Sequence, residues 1–469
     1  MRIAISKNLT NQRILSIICF CLFSGWLLSV VFEGQIMYVL VSNTQLQKTS
    51  LINILILLHS IGLFSCGFFV KKQIAAKMTM IAASIVCISG SLIFFLPFSI
   101  LWYIAFFSIS LFAGFFIASW GFFYKAYTPS SERLKTAAEV LIFSNIIMII
   151  FNVIAVTISV YLALALTIIG LIVSLLIAFR LEDSFNEQCF HKKNAEQKIV
   201  NIPSIFAPML LLCIFIIILT VNSGIMYQLI QPAFSHLRLL TSYYWAMPYI
   251  ITLWVLKNLS NKINLAYILY IALTMIGLSF MLFMLLDRSA TSYLVINTLM
   301  LAAFGVCDLF WWSILGMFFD YNKNPSQVLG IGLSMNVLGI VIGGAILSNH
   351  TAALNTSVIA LIIVFIVLMI LPLLNHILTK VLKDHAFLVQ FASLIKDTQH
   401  DLKEDIWEKY QLTEKETAVI QLLLQGYTYK AISEKLYISD NTTKFHVKNI
   451  YQKLNVSKKI DVIKIFTES

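Results

Sequence analysis

Charge is scarce in this 469-residue chain: Asp, Glu, Lys and Arg make up 12% of it, while 59% is hydrophobic. An ordinary soluble protein carries about twice that charge, roughly 25%, so a soluble enzyme is excluded. Cysteine is sparse too. The seven present (19, 21, 66, 87, 189, 213 and 307) show no metal-ligand spacing and read as small apolar fillers of membrane helices. Neither a metal nor a cofactor is expected. No phosphate-binding glycine loop and no nucleophile elbow occurs, so nothing marks an enzyme. Acidic residues are the scarcer sign, 22 against 33 basic, giving a net charge of +11. The excess is not an even coat: 19 Lys and Arg precede residue 380, mostly in short loops, and 14 Lys fall in the last 90 residues.

What is abundant is apolar sequence, from residue 14 to 379. A bilayer core of about 30 Å needs roughly 20 apolar residues per helix. The runs divide into twelve spans: 14–41, 50–70, 75–97, 99–124, 136–159, 161–180, 203–230, 239–257, 264–286, 290–319, 326–348 and 353–379. Residues 14–32 carry no charge, which is too long for a signal-peptide core, and no small-residue cleavage site follows; they read as a spanning helix. The joints at 97–99 and 159–161 have to be tight turns.

An even count puts both termini on one side. With that side cytoplasmic, the inner segments hold 16 Lys and Arg before the C-terminal region, and the outer segments only Lys48, Arg238 and Arg288. That is the bias of positive charge toward the cytoplasm. The expectation is an all-α, multi-pass protein of the cell inner membrane, surrounded by lipid bilayer, with both termini cytoplasmic.

The longest internal loop, near 181–202, is polar and splits the membrane part into two six-helix halves. The halves repeat one another in places. Gly34 precedes Ile36-Met37-Tyr38 as Gly224 precedes Ile225-Met226-Tyr227, and Gly114, Trp120 and Asn145 recur 191 positions later as Gly305, Trp311 and Asn336. A parallel internal repeat follows, with a first half over 1–185, a central loop over 186–202 and a second half over 203–379. In this architecture residues 10–380 resemble the major facilitator superfamily. Its signature between helices 2 and 3, a Gly followed by an Asp-Arg pair, is only hinted at by Gly67-Phe68-Phe69-Val70-Lys71-Lys72, where Lys stands in place of the acid. The acid's role in transporter rocking is therefore not expected here.

Charge at bilayer depth is costly and usually functional. Two acids qualify, Glu33 in the first span and Asp308 in the tenth. The facilitator resemblance implies that helices 1, 4, 7 and 10 line a central cavity. The candidate ligand set is then Glu33, Gln35, Tyr38, Trp120, Asn222, Tyr227, Asp308 and Trp311, with Gln228 and Trp312 beside them. Acids with Trp and Tyr can hold a cation or a polar aromatic ligand. The competing readings are a Glu33 solvated at the outer interface and an Asp308 that is a protonated helix–helix hydrogen bonder. Asn145, Asn152 and Asn336 read as interhelical glue.

Beyond the last span, residues 380–410 form a charged helical linker. Val381, Leu388, Ile395 and Leu402 recur every seven, but Asp384, Phe391, Thr398 and Asp405 at the companion positions argue against a coiled coil. Fully helical, the linker reaches about 45 Å at 1.5 Å per residue. The final segment, 411–469, has helix signals of its own. Thr413 with Glu416 three residues on makes a capping box, Val419-Ile420-Leu422-Leu423 follows, and Gly426 ends that helix. Tyr429–Leu436 is a second helix, Tyr437-Ile438 the turn, and Ser439 caps a third with Thr442 at its third position. Thr443, Val447, Ile450 and Leu454 share the core face at 3.6 spacing, leaving Asn441, Lys444, Phe445 and Lys448 outward. Two Lys one turn apart beside an aromatic suit the major groove, reaching guanine or phosphate and a thymine methyl.

Leu412–Phe466 resembles the LuxR-type helix-turn-helix in the leading LTEKE, Gly426, Ile432-Ser433, Ser439, Thr442, Lys444, His446, Lys453-Leu454 and Val456. The resemblance implies a four-helix DNA-binding domain. Lys444, Phe445 and Lys448 would touch bases, with Asn441, Thr442 and Lys453 completing the DNA-binding set, and a fourth helix near Lys458–Phe466 would make a homodimer. Ala431, Thr443 and Lys459 depart from the family pattern without removing a DNA-facing residue. With no receiver or lactone-binding domain present, the membrane half is the expected input. The chain resembles a transcription regulator whose membrane domain senses a small molecule or a membrane signal. The alternative is a working transporter that carries a regulatory head.

Overall fold

The structure, a computed structural model, describes residues 2–32, 34–42, 48–182, 206–259, 265–348, 353–381, 410, 412–424, 429–436, 438–454 and 456. Glu33, most of the central loop, the linker from 382 to 409 and the expected fourth helix of the head lie outside the described residues. The described residues are helical, with no strand among them. They fall into two compact units, Met1–Leu388 and Val389–Ser469.

The first unit begins with α1 (Arg2–Val30), α2 (Gln35–Ser42), α3 (Lys48–Phe69), α4 (Gln73–Ile93), α5 (Ile100–Tyr127), α6 (Arg133–Thr157) and α7 (Val160–Arg180). It continues with α8 (Phe206–Ile225), α9 (Arg238–Tyr243), α10 (Met247–Lys257), α11 (Leu265–Leu285), α12 (Ala290–Phe318), α13 (Pro325–Ser348) and α14 (Ala353–Val381). Among the described residues, eleven helices are long and apolar enough to cross a membrane. The eighth expected span, 239–257, is instead the short pair α9 and α10. Pro248 lies at the start of α10; its ring removes an N–H and collides with the carbonyl four residues back, so the helix breaks ahead of it. The first expected span is also interrupted, between Val30 and Gln35. Its repeat counterpart, α8, passes at Met226 into a π-turn over Met226–Ile230. The first interruption ends just ahead of Ile36-Met37-Tyr38, and the second begins within Ile225-Met226-Tyr227. Of the two tight joints expected, one is present, with Ile158 and Ser159 alone separating α6 from α7, whereas six residues, 94–99, separate α4 from α5.

Without a hydrophobic force between helices in lipid, close packing has to come from small residues. Gly114 of α5 lets α3 approach so closely that a Cβ there would collide with the His59 carbonyl oxygen and the Leu63 nitrogen. Its counterpart Gly305 in α12 sits against α10, where a Cβ would press on the Tyr249 carbonyl oxygen. The repeat thus recurs in the packing. The two halves pack along α3 and α13, where Ser60 Oγ donates to the Ser334 carbonyl at 3.0 Å, and polar bonds join them further at the end where loops expected to be cytoplasmic meet. The buried Arg133 guanidinium donates to both carboxylate oxygens of Asp320, at 2.7 and 2.8 Å, and to the Gly316 carbonyl at 2.8 Å. Lys257 of the second half pairs with Glu139 of the first at 2.8 Å, while Arg13 bonds Glu132 and Thr136 within the first half. Asn324 donates to the Gly67 and Val70 carbonyls, at 2.7 and 3.0 Å.

The second unit is a small bundle of α15 (Glu414–Leu424), α16 (Tyr429–Leu436) and α17 (Asp440–Leu454). Its core is Val419, Ile420, Leu423, Ile432, Val447, Ile450 and Leu454.

Candidate DNA-reading face and membrane cavity

The head is assembled from its caps. The Thr413 N–H donates to Glu416 Oε2 at 2.9 Å, and the Glu416 N–H donates to Thr413 Oγ1 at 3.3 Å. Both bonds satisfy N–H groups that the first turn of α15 would otherwise leave open. The α16–α17 turn is held by the Ile438 N–H on the Ser433 carbonyl at 3.0 Å and by Ser433 Oγ donating to Asp440. Ser439 Oγ then accepts the Thr442 N–H at 3.0 Å, capping α17.

With α17 fixed at its start, its rotation follows from the core. Thr443, Val447, Ile450 and Leu454 are buried, and so Asn441, Lys444, Phe445 and Lys448 are exposed and Thr442 is half-buried. Phe445 is 60% exposed. A large aromatic held in water between two Lys is available to meet another surface. Lys453 is elsewhere. Nine residues, about two and a half turns at 3.6 residues per turn, carry it to the opposite side of the helix from Lys444. There its Nζ donates to Glu416 Oε2 at 2.7 Å, tying the end of α17 to the start of α15. Burial raises the Glu416 carboxyl, but the bonds from Lys453 and Thr413 outweigh it and hold the group below its ordinary 4.5.

In the membrane unit a cavity of about 230 Å³ lies among helices of both halves. Three of the expected ligand residues line it: Tyr227, Asp308 and Trp311. Asp308 is fixed by two neutral donors, the Tyr249 hydroxyl at 2.8 Å and Trp311 Nε1 at 3.2 Å. Trp312, Trp245 and Tyr249 add aromatic wall, and His59 contributes a ring whose Nδ1 lies 3.2 Å from the Ser110 carbonyl.

The other expected residues among those described lie off the cavity. Trp120 is fully buried, donating to Ser16 Oγ at 2.9 Å and stacked 4.8 Å from Tyr124. Gln35 donates its backbone N–H to Asn152 Oδ1 at 3.1 Å, so Asn152 bridges α2 and α6. Tyr38 lines a separate small recess with Met37, Val41, Leu51 and Ile52. Asn222 is fully buried, and neither atom of its amide has a hydrogen-bond partner among the described residues; its neighbour Ser223 faces the cavity instead. Gln228 reaches Asn53 Oδ1 at 3.3 Å. Two residues expected as glue, Asn145 and Asn336, line the cavity, one from each half. Their 191-residue spacing was the signal that paired them. Nothing in the sequence marked Tyr249, which reaches Asp308 only through the approach of α10 to α12.

The family described as bacterial regulatory proteins, luxR family, matches residues 410–466. The spore germination protein GerE of Bacillus subtilis is 39% identical over 54 residues, which cover 73% of that protein. The transcriptional regulatory protein DegU of Brevibacillus brevis is 31% identical over 86 residues, and a nitrate/nitrite response regulator homologue of Haemophilus influenzae 35% over 57. The chain spans 36% and 27% of the length of these two proteins. The fold of the membrane unit is that of major facilitator structures. A structure of the human organic anion transporter MFSD10 has a TM-score of 0.56 at 11% identity, covering 78% of this chain and 99% of that one. The proton:xylose symporter XylE has a TM-score of 0.58 at 12% identity, covering 77% and 94%.

Proposed function

Because the chain belongs to the LuxR family of bacterial regulatory proteins through its C-terminal head, we propose that it is a one-component transcription regulator embedded in the inner membrane. A ligand in the cavity, or the state of the membrane itself, biases the membrane unit, and the head reports that bias to DNA as a homodimer. The observation that carries this reading is the exposed face of Lys444, Phe445 and Lys448 on a capped helix. Such a face has one evident use, and it stands in the same polypeptide as a facilitator-like domain. A ligand shifts the head only through different affinities for two states of the membrane unit. The cavity, lined from both halves, can supply that difference if the halves move.

The reading carries finer parts with it: twelve membrane passages, counting the α9–α10 pair as one, and cytoplasmic termini. It also includes a four-helix head whose last helix dimerises, a helical linker over 380–410, and a ligand set centred on Tyr227, Asp308 and Trp311. Asn441 and Thr442 join the DNA face, while Lys453 is assigned to internal support. Genome-wide occupancy of the full-length protein tests the core of it. Discrete occupied promoters that vanish with Lys444→Ala/Lys448→Ala are expected; occupancy insensitive to that change would refute it.

A second reading, a transporter that carries its own regulatory head, draws on the likeness of the membrane unit to nearly the whole length of two transporters. Accumulation of a cavity ligand in vesicles, abolished by Asp308→Asn, would favour it over pure sensing.

A further inference from the structure

We propose that the cavity takes a small organic monocation with an aromatic or apolar body, held at Asp308; this rests on the regulatory reading of the same cavity. Among the described residues that line it, Asp308 is the carboxylate, and no Lys or Arg joins it. Its two fixed partners, the Tyr249 hydroxyl and the Trp311 indole N–H, are neutral donors. They orient the carboxylate and leave its charge unbalanced. Charge left uncompensated at bilayer depth is expensive, and a ligand that brings one positive charge removes that expense.

The remaining wall suits the rest of such a ligand. Tyr227 and Trp245 meet edge-on at 6.3 Å, and Trp311 and Trp312 lie 5.8 Å apart, all four on the cavity. Ring faces attract a cation and pack against an apolar body. The volume, about 230 Å³, lies a little below the roughly 300–1,000 Å³ usual for ligand pockets, which suits a small ligand. An anion would meet Asp308 with no Lys or Arg among the described lining residues to offset it, and the His59 ring is already engaged with the Ser110 carbonyl at 3.2 Å.

Calorimetry on the purified full-length protein in detergent tests this with three probes of nearly one shape: phenethylammonium, 2-phenylethanol and phenylacetate. The cation is expected to bind at least tenfold tighter than the alcohol, about 1.4 kcal/mol, and phenylacetate not at all. Asp308→Asn should erase the preference and Asp308→Glu retain it, each checked for monodisperse elution. The comparison within the unmodified protein stands even if both variants fail to fold. Equal binding of cation and alcohol, preference for phenylacetate, or binding of none of the three at millimolar concentration would overturn the assignment. A promoter reporter in cells separates this outcome from the regulatory reading. Binding of phenethylammonium with no reporter response to it or to any cavity variant would leave the cation assignment standing and sink the regulation. A reporter response to the anion alone would do the reverse.

Discussion

Lys453 and Lys448 sit five residues apart on one helix and are expected to fail in opposite ways. Lys453 holds Glu416, whose side chain is 4% exposed, so Lys453→Ala removes the charged partner of a buried carboxylate and leaves it only the Thr413 N–H. Leaving such a group without its partner costs about 1–3 kcal/mol. The variant head should melt earlier, yet at low temperature bind DNA with unchanged affinity and salt dependence. Lys448→Ala should leave the melting point alone and weaken specific binding by about 1–3 kcal/mol if it reads a base. The swapped pattern, measured by thermal unfolding and DNA titration of residues 405–469, would contradict the placement of both side chains. Glu416 also sets an acid limit. Its carboxyl lies below 4.5 in the folded head, so the stabilisation is complete above that pH and is lost as pH falls through the folded value. Glu416→Gln should therefore flatten the acid limb of the head's stability curve. Of these details the capping box and the core stripe of α17 were legible in the sequence, because both are local spacings. The Lys453–Glu416 bond joins residues 37 apart, and only the packing of α17 on α15 brings them together.

At the scale of elements, the contact of α6 with the turn after α12 is a buried, bidentate ion pair between the halves. Arg133 is 5% exposed at its side chain and holds Asp320 bidentately, whereas Glu132, paired with Arg13, is 45% exposed. Removing one partner of a buried pair costs about 3–5 kcal/mol. Asp320 is 43% exposed, so the lower end applies, about 3 kcal/mol for Asp320→Ala against 0–1 kcal/mol for Glu132→Gln at a surface pair. Thermal unfolding of the full-length protein in detergent should rank them so; equal shifts would show that the Arg133 joint does not hold the halves. Apolar runs of about 20 residues were enough to read the membrane helices, since lipid imposes their length. The break ahead of Pro248 has a residue that announces it. Cavity membership had no such marker: most helix faces here are apolar, so sequence spacing gives no rotation, and Trp120 went to the core while Asn145 and Asn336 went to the cavity.

For the whole molecule, the charge bias predicts that the central loop and both termini share the cytoplasmic side. In a cysteine-free background, a membrane-impermeant thiol reagent added outside should label Ser289→Cys and spare Asn194→Cys. Labelling of both would break the topology. The central claim is that the membrane unit governs the head, and promoter occupancy in living cells measures that directly. Full-length protein, the Asp308→Asn variant and the detached head are compared at equal cellular levels by genome-wide immunoprecipitation. The account predicts that the head alone and the full-length protein share sites, and that Asp308→Asn moves occupancy or transcription at those sites to a fixed high or low value. Occupancy and transcription identical in all three would contradict it.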